Sequence, residues 1–196
     1  MAQELLRSRE ASSKLTVRDL ALISGFAAVL VADGYISSLA RTLTRNTDTF
    51  FLIATLFTVL ALMTRKHWTS TLLAMITGLI FLATPGAPFP PHITLSLIAN
   101  GLVFDLALLI MLARSRGPEP SRNQLAVAGS LGSGIMALVA LPLIAIFDPS
   151  AITKLPLAVW PGIIFGDAFI GLIGVFFGYL VAKRLHVSRL RYNPVY

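Results

Sequence analysis

The chain has 196 residues, of which 56% are hydrophobic and only 13% are charged, against roughly 25% charged residues in a typical soluble domain. So few charges cannot cover the surface of a water-soluble globule, which excludes a soluble enzyme, a disordered tail and a fibrous protein. The net charge is +7, and the positions of the cations decide whether this excess indicates nucleic acid or a membrane.

Six apolar stretches follow one another along the chain. A hydrocarbon core about 30 Å thick needs roughly 20 apolar residues per helix, and backbone in lipid must satisfy its own hydrogen bonds. We therefore expect an all-α integral membrane protein with six transmembrane helices in a membrane domain over residues 17–184. A segment over residues 1–16 precedes this domain, and a basic tail over residues 185–196 follows it. The expected spans are residues 17–40, 49–63, 68–84, 93–113, 124–147 and 157–182.

The first span carries small residues at helical spacing and an acid near its end. Ser24, Ala28 and Ala32 recur every four residues, a pattern that lets a second helix approach closely. Most such stripes pack a protein against itself, and docking of a partner's helix is the alternative. Asp33 and Tyr35 follow towards the end of the span.

Spans two to four are joined by short connections. The polar turn Arg65–His67 separates spans two and three, and four prolines exclude a helix over residues 85–92. Span four carries Asn100 and, deepest of all the acids, Asp105.

The last two spans are rich in glycine. The GSLGSG segment of span five (residues 129–134) lacks the Lys-Ser/Thr of a phosphate-binding loop, so we interpret it as helix packing. In span six, Trp160 and Asp167 are seven residues apart and share a face. Trp160 fits either an interfacial belt or a platform on which a ligand stacks.

Three acids within the spans need an explanation. A charge at a helix centre costs about 2.5–3.5 kcal/mol, and no Lys or Arg lies in the middle of a span to offset Asp33, Asp105 or Asp167. Either they face a cavity and bind a cationic or hydrogen-bond-donating ligand, or they are protonated or bonded to neighbouring helices. On the first interpretation the candidate substrate-binding residues are Asp33, Tyr35, Asn100, Asp105, Trp160 and Asp167.

The cations divide unequally between the two sides. With a cytoplasmic N-terminus, only Arg41, Arg45 and Lys154 lie outside, and the remaining 13 of the 16 Lys and Arg residues lie inside. The positive-inside rule then places both termini in the cytoplasm of a multi-pass protein of the cell membrane, with lipid and not nucleic acid around it. We expect no catalytic residue, no metal and no cofactor, because the chain has no cysteine, no nucleotide signature and no histidine within a span.

Several segments resemble the substrate-binding S component of energy-coupling factor (ECF) vitamin transporters. KLTVRDLALISGFAAVLVA (residues 14–32) is similar to the opening segment of that family, with its Ala-xxx-Ala stripe at Ala28 and Ala32. TLLAMITGLIFLATPG (residues 71–86) and GLVFDLAL (residues 101–108) look like its third and fourth helices.

This resemblance implies a function and partners. Such a subunit captures a micronutrient from outside, docks through its first helix onto a transmembrane T subunit coupled to two ATPases, and topples to release its cargo. The three acids within the spans and Trp160 favour a cationic or amine-bearing aromatic nutrient, such as thiamine or its pyrimidine precursor. The alternatives are a non-transporting membrane scaffold and, less favoured, a membrane enzyme acting on lipid.

Overall fold

The computed structural model describes residues 15–39, 47–84, 91–115, 119–147 and 156–192, and all six apolar segments form helices. No strand occurs in these ranges. The N-terminal residues 1–14, the three outer cations and most of the proline-rich connection lie outside them. The helices are α1 (Val17–Leu39), α2 (Thr47–Thr64), α3 (Thr69–Ala83), α4 (Pro91–Arg114), α5 (Arg122–Phe147) and α6 (Trp160–Tyr192), the last preceded by a 3-10 turn (Leu157–Val159).

Four helices are long and apolar enough to cross a membrane, by length and composition: Val17–Ser37, Pro91–Arg114, Arg122–Phe147 and Leu157–Leu185. The apolar parts of α2 and α3 are shorter, Thr49–Thr64 and Thr69–Ala83. At about 1.5 Å per residue, α3 is about 22 Å long, less than the hydrocarbon thickness. The fold is thus that of a helical protein embedded in a membrane, in which α2 and α3 have the shorter apolar segments.

The six helices pack as a closed ring, and helices that follow one another in the chain run in opposite directions. Around the ring each helix contacts the next in the order α1, α3, α4, α5, α6, α2, and α2 also contacts α3 and α5. Residues 53–61 of α2 are all buried, which makes α2 the central helix. The ring of Phe57 meets the edge of Phe104 of α4, with 5.6 Å between the ring centroids. The start of α1 and the end of α6 lie at the same end of the bundle.

Glycines make the closest helix contacts, which confirms that the GSLGSG segment is a packing element. A Cβ on Gly129 would collide with Val175 of α6, and one on Gly171 of α6 would collide with Ser133. A Cβ on Gly178 would lie 2.6 Å from the carbonyl oxygen of Thr55 in α2. The later glycines of α6, from Gly171 onwards, therefore pack against other helices of the same chain. Gly162 and Gly166, near the start of α6, face open space.

The last helix is longer than the expected span. It continues to Tyr192, so the first eight residues of the expected basic tail are helical. Nothing in the sequence between Tyr179 and Tyr192 stops a helix, since neither glycine nor proline occurs there. Thirty-three residues at about 1.5 Å each exceed any bilayer core, so α6 extends beyond the other helices at the basic end of the bundle.

Candidate functional site

The basic end of the bundle comprises the start of α1, the α2–α3 turn (residues 65–68), the end of α4, the start of α5 and the end of α6. A poorly accessible ion pair ties α1 to the turn: Lys66 Nζ lies 3.0 Å from Asp19 Oδ2. The same oxygen accepts hydrogen bonds from the amide and the hydroxyl of Thr16, both at 2.8 Å. Asp19 thus caps α1 and anchors the turn with one carboxylate.

The turn itself is strained. Arg65 and Trp68 have φ angles of 55° and 67°, a left-handed conformation that costs side-chain-bearing residues about 1–3 kcal/mol. Arg65 forms an exposed ion pair with Glu119 at 2.7 Å, which connects the turn to the α4–α5 linker. The surrounding contacts hold this backbone in place, since the turn has no glycine to adopt it freely.

Beneath the turn lies a cavity of about 90 Å³. Its polar lining consists of Arg65, Lys66, His67 and Asp105, and aliphatic side chains of α2 and α4 contribute much of the rest. Pockets for organic ligands usually measure about 300–1,000 Å³. This cavity has room for a few water molecules or a small ion, and it is too small for a vitamin.

Asp105 is bonded to a neighbouring helix. Its Oδ2 accepts hydrogen bonds from the amide of Thr71 at 2.7 Å and from the Thr71 hydroxyl at 2.8 Å. Thr71 is the third residue of α3, whose first amides have no carbonyl partner within their own helix. Trp68, the N-cap residue, offers no side-chain bond. Asp105 therefore caps α3 from the neighbouring helix α4. This agrees with the interpretation that the acids within the spans are bonded to neighbouring helices.

Asn100 lies deeper, between α4 and α5. It is 2% exposed, its Nδ2 donates to Met136 Sδ at 3.5 Å, and its Oδ1 lies against Gly132, where a Cβ would collide with it. The side chain fills the space left by that glycine. Its surroundings are those of a helix–helix contact.

The other four predicted substrate residues lie in the half of the bundle opposite the basic end. Asp33 and Tyr35 are half-buried near the end of α1, and Trp160 and Asp167 are half-buried near the start of α6. Both segments flank the start of α2, as shown by the hydrogen bond from Thr49 to Ser37 on one side and the contact of Gly174 with Phe51 on the other. None of the four lines the cavity beneath the turn, so the six residues divide into separate groups.

The predicted docking face on α1 is open. Ser24, Ala28 and Ala32 are all exposed, whereas Ile23, Ala27 and Leu30 turn to the core. A Cβ on the adjacent Gly25 would meet no heavy atom within 4 Å. This row of small residues is uncovered for about two helical turns, with Val29 exposed beside it.

Sequence reasoning missed the polar contacts of the basic end. The spacing of Thr16 and Asp19 matches a capping box with Asp in place of Glu or Gln, and Ser121 and Gln124 form a second box at the start of α5. These short patterns could have located both helix starts. The pairing of Asp19 with Lys66, 47 residues away, leaves no local signal.

Two further findings bear on the site. Among the described residues, no group of three or more His, Cys, Asp or Glu side chains could hold a metal ion. Comparison with protein-family models, curated proteins and solved structures finds no match for this chain.

Proposed function

We propose that the chain is the substrate-capture subunit of an ECF-type importer in the cell membrane. It binds a vitamin-like micronutrient from outside and delivers it with a transmembrane T subunit and two ATPases. The observation that carries the proposal is the open small-residue face of α1. An S component needs such a face, because it works only when docked to its partner.

The composition of this face argues for a helix as its neighbour. Large apolar side chains are exposed over the rest of the bundle, such as Phe165 and Phe169 at 75% and 62%, and at both ends of the small-residue row on α1, where Leu20 and Ile36 are 46% and 65% exposed. Large flexible or aromatic side chains suit lipid tails, whereas small ones let two helix backbones approach closely. The Ser24, Ala28 and Ala32 face is therefore better suited to a partner helix than to lipid.

The substrate site that we propose uses Asp33, Tyr35, Trp160 and Asp167. They lie in the half of the bundle away from the basic end, which the positive-inside rule assigns to the outside. Two carboxylates and two aromatic rings, contributed from the two sides of the start of α2, would suit a cationic or amine-bearing aromatic ligand. Asn100 would lie deeper, and Asp105 is left out because its Oδ2 already caps α3.

A membrane scaffold that binds no small molecule is the second candidate. One observation favours it: Asp105 and Asn100, two of the six predicted ligands, are accounted for by contacts between helices. A scaffold would use the same α1 face, so only the ligand separates the two functions.

The test is gentle purification of the tagged chain from its own membranes, followed by mass spectrometry of proteins and small molecules. We expect a stoichiometric metabolite together with a membrane subunit and ATPases. Ala28→Leu with Ala32→Leu should release the protein partners and keep the metabolite, and Asp167→Asn should do the reverse. Ala83→Leu, at an exposed position on α3, is the control and should keep both. Partners without any metabolite, in all variants, would establish the scaffold instead.

A further inference from the structure

Among the residues that the structure describes, the ion pairs of the basic end lie on one side of the bundle. At the α2–α3 turn, Lys66 pairs with Asp19 and Arg65 pairs with Glu119. On the opposite side, α5 has no acidic residue. The last acidic residue of α6 is Asp167, which lies near the start of that helix and far from the basic end. Within the described helices, the sector formed by the start of α5 and the end of α6 therefore carries cations and no acidic residue.

Arg122 is held in a defined position in this sector. Its guanidinium carbon lies 4.3 Å from the centroid of the Phe176 ring of α6, a stacking distance that favours the cation. The side chain is nevertheless exposed. No carboxylate among the described residues lies within ion-pair distance of it.

The packing of α5 on α6 brings a second cation beside it. Gly129 packs on Val175 and Ser133 on Gly171, an antiparallel register that, continued by seven residues, sets the start of α5 beside Ala182. Ala182 is buried, and the next two residues, Lys183 and Arg184, are exposed. The positive end of the α5 helix dipole lies at the same place.

We propose that this sector binds the phosphate of an anionic phospholipid between Arg122 and Lys183, with Arg184 at its rim. At a membrane surface, a lipid phosphate is a counter-charge available to exposed cations that have no acidic partner among the described residues, and basic pockets between helices bind anionic headgroups. The Phe176 ring fixes Arg122 at the lipid boundary, where its fork of N–H donors can bond two phosphate oxygens. The proposal is independent of the transport function and concerns the opposite end of the bundle.

Native mass spectrometry of the full chain tests the site, using protein released from detergent containing equal amounts of phosphatidylglycerol and phosphatidylcholine. We expect one phosphatidylglycerol to be retained in preference to phosphatidylcholine. Since each basic residue at a membrane surface contributes about 1 kcal/mol, Arg122→Gln and Lys183→Gln should each weaken retention about fivefold. Arg18→Gln removes an exposed cation of α1 near the same end and should leave retention unchanged.

Two further experiments separate loss of the lipid site from unfolding and from binding of free phosphate. Arg122→Lys preserves the charge and should retain most of the lipid, and circular dichroism checks that each variant is folded. Millimolar inorganic phosphate should neither displace the lipid nor raise the unfolding temperature. Equal retention in the Arg122, Lys183 and Arg18 variants, or no headgroup preference, would overturn the proposal. Protection by inorganic phosphate alone would assign the sector to a soluble phosphate and overturn the lipid site.

Discussion

Replacing Asp105 with alanine tests whether this buried acid serves the fold or a ligand. The change removes the oxygen that accepts hydrogen bonds from the Thr71 amide and hydroxyl at 2.7 and 2.8 Å. Asp105 is 5% exposed, and the cavity that it lines can offer the freed donors at most a few water molecules. An unsatisfied buried donor costs about 1–3 kcal/mol, and two donors lose their partner here. We therefore expect Asp105→Ala to lower the free energy of unfolding by about 2–5 kcal/mol.

Graded variants separate the two hydrogen bonds. Asp105→Asn keeps a carbonyl oxygen that can still accept from the amide, and should cost less than half as much as the alanine variant. Thr71→Val removes only the hydroxyl and should cost about 1 kcal/mol. The double variant Asp105→Ala, Thr71→Val should cost less than the sum of the single changes, because both lose the same hydroxyl bond. Unfolding in mixed detergent micelles, followed by circular dichroism, measures all four proteins.

The outcome that refutes this reasoning is specific. If Asp105→Ala unfolds like the wild type but no longer retains the co-purified metabolite, the carboxylate serves a ligand and the α3 cap is unimportant. A loss of stability with the metabolite retained supports the capping role.

Three other predictions follow from the packing, the charges and the topology. Gly178→Ala places a Cβ 2.6 Å from a carbonyl oxygen of α2 and should cost about 1–3 kcal/mol in thermal unfolding. Gly166→Ala, in open space, should gain up to about 1 kcal/mol through helix propensity; equal effects of the two would contradict the packing described. Lys66→Met leaves the Asp19 carboxylate poorly solvated and should cost about 3 kcal/mol, and adding Asp19→Asn should recover part of this loss. His67→Cys introduces the only thiol of the chain, and an impermeant maleimide should label it in inverted vesicles; labelling of intact cells would reverse the orientation.

The helices could be predicted from hydropathy because lipid permits little else. The hydropathy of α2 did not reveal its central position, since its polar side chains are satisfied internally. Thr55, Thr58 and Thr64 each donate a hydroxyl hydrogen to the carbonyl four residues earlier, at 2.8 Å. Such threonines can be buried among neighbouring helices as readily as they can face lipid, and the sequence does not distinguish the two.

The candidate site was only partly predictable for a related reason. The sequence identified Asp105 as an acid that needs an explanation, but the explanation, Thr71, lies on another helix. The position of an acid along its own helix does not show whether the end of another helix lies next to it. Tertiary contacts over 34 residues therefore decided between ligand and cap, and no local pattern encodes them.

The ion pair between Asp19 and Lys66 connects α1, the proposed docking helix, to the α2–α3 turn. Ser24, the first residue of the open face, follows Asp19 by about one and a half helical turns, so a partner on that face bears on the same part of α1. The turn is not free to move with α1 on its own. Arg65 and Trp68 have left-handed backbone, and Asp105 caps the helix that follows the turn. Displacing α1 must therefore either move the turn with it or break the ion pair. A charged pair of low accessibility resists breaking, since each ion would lose its partner in a poorly hydrated place. A partner docked on α1, as we propose, would thus be mechanically linked to the interior of the bundle through one carboxylate.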